Sequence, residues 1–393
     1  MNGTLIAERL GREGPKRLLA IDGGGIRGLL ALGYLEAIES ALAERHPGSD
    51  FRLADYFDLI GGTSAGALIG TLLALGWPVR QVREVYLEVA ESVFRPARYW
   101  GLGRVGRMLH ERFSARPLES ILRRVLGERS LDSPDLRTGL MVVTKRVDTA
   151  SVWPLVNFPR SVYFADKRLP NGQVVRGNRH FKLWELLRAS TAAPSFFPAK
   201  RFDDVRSLQP AQFVDGAVSP HNNPALLLLM SATLKGFGLE WPTGPERILL
   251  CSVGTGLYSK TATVSKIDTF TNIHWARLLV PQLVGDCVEL TETVLQWLSS
   301  SPTARTIDRT IGRVEPPLGG SNGMLHYLRY NVRLHPASLG ELGIDLPPET
   351  VTSLQDMGDV HAIPHLLQLA DKVRGCVLPE HFPHRFDPHE AAH

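Results

Sequence analysis

The sequence is poor in cysteine: only Cys251, Cys287 and Cys376 occur, and no two of them stand in a Cys-x-x-Cys pair. A disulfide-stapled scaffold is excluded, and a reduced, cytoplasmic setting is expected. Long apolar runs are also missing. The longest, Pro224 to Leu234, falls far short of the roughly 20 residues that cross a bilayer, so membrane contact is expected to be peripheral. Met1 to Arg12 carries three charged residues and no apolar core segment, and no secretory signal is expected. Strong net charge is absent too, at +4 overall. The excess is local. Arg95, Arg98, Arg104, Arg107, Arg112, Arg116, Arg123, Arg124 and Arg129 face only Glu111, Glu119 and Glu128, with Tyr99, Trp100 and Phe113 interleaved. Arginine among aromatics suits anionic headgroups or a phosphorylated ligand, and a pair of solvated helices accounts for the same pattern. No motif for binding a nucleic-acid polymer accompanies it. The thirteen histidines include none in a recognisable catalytic setting: His274 and His326 sit in apolar or aromatic runs, and His381, His384, His389 and His393 crowd a polar tail.

Against these absences, small residues cluster in informative places. Gly62-Thr63-Ser64-Ala65-Gly66 follows the strand-like run Tyr56 to Ile60 and precedes the helical run Ala65 to Leu75, which Gly76 and Pro78 close. A serine between glycines at a strand-to-helix corner stands clear of the chain, and the helix behind it aims unpaired N–H groups and a positive dipole end at the same point. Ser64 is therefore a candidate nucleophile, with Gly62 and Gly66 as the elbow. A second cluster, Asp22-Gly23-Gly24-Gly25-Ile26-Arg27-Gly28, lies between the strand Leu18 to Ile21 and the amphipathic helix Leu29 to Leu42. Its amides suit an oxyanion hole or a phosphate cradle. The spacing Gly23-x-Gly25-x-x-Gly28 also satisfies the dinucleotide fingerprint, but the next strand runs into Ser64 instead of ending in a ribose-binding acid. The third element, Phe213-Val214-Asp215-Gly216-Ala217, ends an apolar run in a carboxylate. With no histidine placed to serve as base, Asp215 acting directly on Ser64 fits better than a triad.

Taken in order, these blocks resemble the patatin-like phospholipase family. Ala189-Ser190-Thr191-Ala192-Ala193-Pro194-Ser195-Phe196-Phe197-Pro198 resembles that family's small-residue and Pro-aromatic stretch near the acyl pocket, and the likeness runs from about residue 15 to 260, where Ile248 to Gly256 forms a further strand and turn. The resemblance implies an α/β fold: a three-layer α/β/α arrangement with a central, mostly parallel sheet and a serine on a nucleophile elbow. It implies Ser64 as nucleophile, Asp215 as its only catalytic partner, and Gly23, Gly24, Gly25 and Arg27 as the oxyanion loop, Arg27 having the plainer alternative of merely holding that loop. No metal and no cofactor are implied. Membrane phospholipid is the expected substrate, with the protein peripheral at the membrane when active.

Residues 15–260 are expected to form the acyl hydrolase domain, 261–378 a largely helical extension packed on it or continuous with it, and 379–393 a disordered tail. Within the extension, Ile273 to Leu298 has helical spacing with a break at Pro281, Leu325 to Leu334 alternates as a strand, and Pro347 to Val377 reads as a helical pair. A long C-terminal part joined to such a domain is similar, more weakly, to the cyclic-oligonucleotide-activated phospholipase effectors of bacterial anti-phage signalling. That likeness adds a cyclic dinucleotide activator to the partners, and self-association stays open. Two other classes are retained: a dinucleotide-dependent oxidoreductase and a non-catalytic lipid-binding or storage protein.

Overall fold

The computed structural model describes residues 3–46, 50–95, 112–203, 209–258, 267–314, 318 and 323–388. Within the basic stretch, Arg98, Arg104 and Arg107 lie outside these residues. The architecture grows from β1 (Lys16–Ile21), a short apolar run buried on both faces, as central parallel strands are. Beside it lie β2 (Leu59–Thr63) and then β3 (Gly139–Arg146), both parallel. Around β3 the sheet turns antiparallel, with β4 (Ser151–Val156), β5 (Lys200–Asp203) and β6 (Pro210–Asp215). On the other side of β1 the parallel strands β7 (Ile248–Val253), β8 (Ser299–Ser300) and β9 (Leu325–Tyr330) complete the order β8-β9-β7-β1-β2-β3-β6-β5, with β4 also on β3.

The two-residue period of the strands divides the core into two layers. Leu19, Ile21, Cys251 and Val253 face one side and pack with helices α2 (Gly28–Ala43), α3 (Ala65–Ala74) and α4 (Val79–Val93). Leu18, Ala20, Leu250 and Tyr327 face the other, toward α5 (Ala225–Thr233) and Leu295 of α6 (Asn272–Leu298). The result is the expected three-layer α/β/α arrangement with a mostly parallel sheet. Among the described residues no helix is long and apolar enough to cross a membrane.

Several details differ from the sequence expectation. The strand before Ser64 begins at Leu59, because Leu53–Tyr56 forms a helical turn in which the Asp55 carboxylate accepts the Arg52 N–H at 2.8 Å. Helix α6 runs through Pro281 without ending; the carbonyl freed four residues earlier belongs to an exposed stretch, so its loss of an intrahelical donor does not bury an unpaired group. In the C-terminal part the strand expected from Leu325 is present as β9, but with β8 it joins the central sheet, and α7 (Ile363–Val373) crosses α2 so closely that a Cβ on Gly33 would lie 2.3 Å from the Ala370 carbonyl oxygen. Nor is the chain disordered from Pro379. Phe382 and Phe386 are fully buried, the Phe382 carbonyl accepts from Arg45 at 2.7 Å, and Asp387 pairs with Arg45 at 2.9 Å. Two aromatic anchors outweigh a polar, proline-rich composition. Residues 389–393 lie outside the described part.

Candidate active site

Strand register brings Ser64 and Asp215 together. Strand β4 occupies one edge of β3 along Met141 to Arg146, so β2 and β6 share the opposite edge end to end. Thr63, the last residue of β2, is level with Val143, and Asp215, the last of β6, is level with Thr144. One strand runs parallel to β3 and the other antiparallel, so their C-terminal ends meet head to head. Ser64 follows Thr63 directly, and its side chain comes close enough to the Asp215 carboxyl to help hold that group's pKa down.

The corner itself is tightly determined. Ser64 sits at φ 54°, a left-handed conformation that costs a non-glycine residue on the order of 1–3 kcal/mol and persists only where the surroundings impose it. They do so here through the Ser64 N–H, which donates to Ser190 Oγ at 2.9 Å, while that hydroxyl donates to the Val143 carbonyl at 2.6 Å. Gly66 lets the turn pass against β1, since a Cβ there would lie 2.1 Å from the Ile21 carbonyl oxygen. The elbow glycine Gly62 faces Gly66 across the same turn, with 2.2 Å for a Cβ against the Gly66 oxygen.

Asp215 is buried, with 2% exposure. Its amide donates to the Ala192 carbonyl at 3.0 Å and its carboxylate accepts the Ala217 N–H at 2.8 Å. Burial raises its pKa from the ordinary 3.8 to about 7, against the opposing pull of hydrogen bonds from Ser64 and Ala217. A carboxyl that titrates near neutrality is a far better base than an ordinary aspartate. The nearest histidine along the chain, His221, contributes its backbone, whose carbonyl accepts the Thr63 hydroxyl at 2.7 Å. No ring of a described histidine hydrogen-bonds Ser64 or Asp215.

The glycine loop lies against the nucleophile: a Cβ on Gly23 would be 3.2 Å from Ser64 Cβ and 2.5 Å from Asn222 Oδ1. The Gly23 N–H is committed to the Asn222 carbonyl at 3.0 Å, so Gly23 supplies clearance and not the donor expected of it. No described residue accepts from the Gly24 or Gly25 N–H. Tyr86 donates to the Gly25 carbonyl at 2.6 Å, Thr255 to the Gly23 carbonyl at 2.7 Å, and Ile26 N–H to the Met357 carbonyl at 3.0 Å, so three distant segments hold the loop. Arg27 braces it. The buried guanidinium donates to the Gly24 carbonyl at 3.4 Å and to the Gly256 carbonyl at 3.3 Å, and lies over the Tyr258 ring at 4.9 Å.

One support was not read from the sequence. Arg329 on β9 donates two hydrogen bonds to Asp22, at 3.0 and 2.6 Å, and one to Ser252 Oγ at 2.8 Å. Both charged side chains are 3% exposed, and Glu292 stands 3.8 Å away. Burial alone would lower the Arg329 pKa, but the Asp22 carboxylate outweighs it and keeps the guanidinium charged. Arg329 thus pins the residue that opens the glycine loop. Arg329→Met leaves Asp22 buried without its counter-ion, and the urea-derived stability is expected to fall by about 3–5 kcal/mol; an unchanged unfolding midpoint would show that the pair contributes nothing net.

The family model described as patatin-like phospholipase matches residues 19–229. Patatin-17 of Solanum cardiophyllum is 30% identical over 287 residues, 68% of this chain and 68% of the relative. A cGAMP-activated phospholipase of Escherichia coli is 27% identical over 240 residues, 61% of this chain and 62% of the relative. The chain therefore spans between about three-fifths and two-thirds of these relatives' own length. Among solved structures, human GIVD cytosolic phospholipase A2 matches at 12% identity and a TM-score of 0.43, covering 97% of this chain and 63% of that one, too low for the likeness to bear on the fold.

Proposed function

The chain belongs to the patatin-like phospholipase family, a lipid-hydrolysing class, and from that premise we propose that it cleaves acyl esters of membrane phospholipids with Ser64 and Asp215 as a two-residue catalytic unit. The observation that carries this reading is the register that sets Ser64 beside the buried Asp215 carboxyl, where two strand ends meet head to head. Ser64 Oγ attacks the ester carbonyl carbon as its proton passes to Asp215. The carbonyl π electrons move to oxygen, and the Gly24 and Gly25 N–H groups with the N-terminal end of α3 receive that charge. Collapse breaks the ester C–O bond, and the proton on Asp215 goes to the departing alkoxide. Water then attacks the acyl-serine with Asp215 again taking the proton, which releases fatty acid and restores Ser64. Nucleophile, base and donors all come from this chain, so the route calls on no cofactor.

The same reading includes regulation. One E. coli relative is activated by cGAMP, and we extend to this chain activation by a cyclic dinucleotide in a cytoplasmic antiviral role, with membrane association in the active state. Arg112 supports a link between the basic stretch and the site. It pairs with Asp356 at 2.9 Å, next to Met357, whose carbonyl anchors the glycine loop. Three other arginines of the stretch are engaged elsewhere: Arg124 with Glu88, Arg129 with Asp135, and Arg123 over the Trp184 ring at 3.5 Å. Phosphates that draw Arg112 from Asp356 would let Met357 shift and so reset the position in which it holds the glycine loop.

Mass spectrometry of mixed phospholipid liposomes after incubation with the protein, with and without a panel of cyclic di- and trinucleotides, tests both parts. The expected products are fatty acid and lysophospholipid, released strongly only with the matching nucleotide. Full release without any nucleotide removes the gate and leaves a constitutive lipase. No release from any lipid under any condition removes the phospholipase reading.

A further inference from the structure

The first half of α6 projects a broad apolar surface that the other described residues leave exposed, apart from Phe270, whose ring meets Trp275 edge-on at 5.3 Å. Between Asn272 and Leu283 only Leu278 is buried. Leu279, Val280 and Leu283 are 50%, 53% and 64% exposed, and Ile273 and Trp275 are exposed beside them. Trp275, Leu279 and Leu283 recur at every fourth position, and Ile273 and Val280 lie two turns apart, so the apolar arc wraps much of the helix. Scattered apolar residues need no explanation, but five large ones on three helical turns form a patch of the kind that marks an interaction surface.

We propose that this half-helix is the surface by which the protein lies on a lipid bilayer. The proposal rests on the phospholipase reading above and assigns it a docking face. Three features point to lipid. First, within the half-helix itself, Asn272 to Leu283, the only formally charged side chain is the cation Arg277; the carboxylates lie outside it, Asp268 before the helix and Asp286, Glu289 and Glu292 in the second half, and a neutral-to-cationic apolar face suits a surface that carries phosphate headgroups. Second, Trp275 offers an indole, whose apolar body and N–H suit the boundary between acyl chains and headgroups. Third, the helix adjoins the site. Gly285 stands beside the Tyr258 carbonyl, a Cβ there lying 4.0 Å from it, and the Tyr258 ring lies under the Arg27 guanidinium that braces the glycine loop. The helix is thus linked to the oxyanion loop through Tyr258 and Arg27.

Twelve residues of helix measure about 18 Å, well under the roughly 30 Å hydrocarbon core, so the segment lies in the plane of the interface. The buried second half, with Val288, Leu295 and Gln296 against the fold, ties it to the protein.

Flotation in the absence and in the presence of cGAMP, with vesicles of phosphatidylcholine alone and of phosphatidylcholine mixed with phosphatidylglycerol, tests the proposal without requiring turnover, and failure means no flotation in either condition. Wild-type protein is expected to float with both, more with the anionic mixture. The doubly substituted Leu279→Asp, Leu283→Asp protein is expected to lose partitioning by about tenfold or more while hydrolysing a short, water-soluble ester as wild type does. Trp275→Ala, a milder exposed change, is expected to lower partitioning by a smaller factor. Wild type that fails to float, or a double variant that floats equally well, overturns the docking face. So does a wild-type dimer in sedimentation velocity that the same two aspartates dissociate, because the patch would then be a contact between copies. Vesicle binding without cleavage of any ester would instead leave the docking face standing and remove the hydrolase reading.

Discussion

Ser64→Ala is expected to lower kcat on a soluble ester and on phospholipid by at least about 10³-fold, the scale found when a serine nucleophile is removed from a catalytic unit, while the protein stays folded. The hydroxyl is not a core contact. What it leaves behind is a strained backbone at φ 54° and a buried carboxyl that still accepts the Ala217 N–H. Replacement by glycine separates the two. Ser64→Gly removes the same hydroxyl but relieves the left-handed strain, so it is expected to be as inactive as Ser64→Ala and more stable than it by about 1 kcal/mol. Urea unfolding of the three proteins alongside ester turnover reads this. A folded alanine variant with near wild-type turnover would remove Ser64 from the mechanism, and a glycine variant no more stable than alanine would show that the corner holds no strain.

What the sequence made legible, and what it hid, follows from the range of the contacts involved. The Ser64 corner and the glycine loop are local: strand, small residues and helix are consecutive, and their steric demands can be read from neighbours within five positions. The sequence placed Asp215 at a strand end, but its meeting with Ser64 depends on two strands abutting on one edge of β3, which no local pattern encodes. The groups that hold the site were invisible for the same reason. Ser190 lies within the small-residue block yet serves the Ser64 amide, Met357 carries a loop anchor in its backbone, and Arg329 is 307 positions from the Asp22 it pairs with. An arginine in an alternating strand looks like a solvated position until the partner is known. The tail shows the reverse error: composition suggested disorder, whereas Phe382 and Phe386 alone bury enough apolar surface to seat Pro379 to Asp387.

Asp215 is expected to write its pKa into both activity and stability. As the base it is competent only when ionised, so with a pKa of about 7 kcat/KM should be level above that pH and fall about tenfold per unit below it, to roughly 1% of the plateau at pH 5. Asp215→Asn keeps the acceptor for the Ala217 N–H but has no basicity; its activity loss should rival that of Ser64→Ala, and the double variant should be little worse than either alone, since members of one unit are not additive. Stability moves the other way. The folded pKa lies above the ordinary 3.8, so the protonated carboxyl is favoured by the fold and the ionised one penalised. This group's contribution is intact below about pH 4, is lost progressively between there and pH 7, and beyond pH 7 amounts to a constant cost on the order of 4 kcal/mol. Asp215→Asn escapes that cost. Relative to wild type it should gain stability as pH rises from 4 to 7 and stay level above, so that denaturant midpoints at pH 4 and pH 8 decide the point. An acid limb absent down to pH 5, a variant whose relative stability ignores pH, or a His221→Ala loss as large as that of Asp215→Asn would each take the role of base away from Asp215.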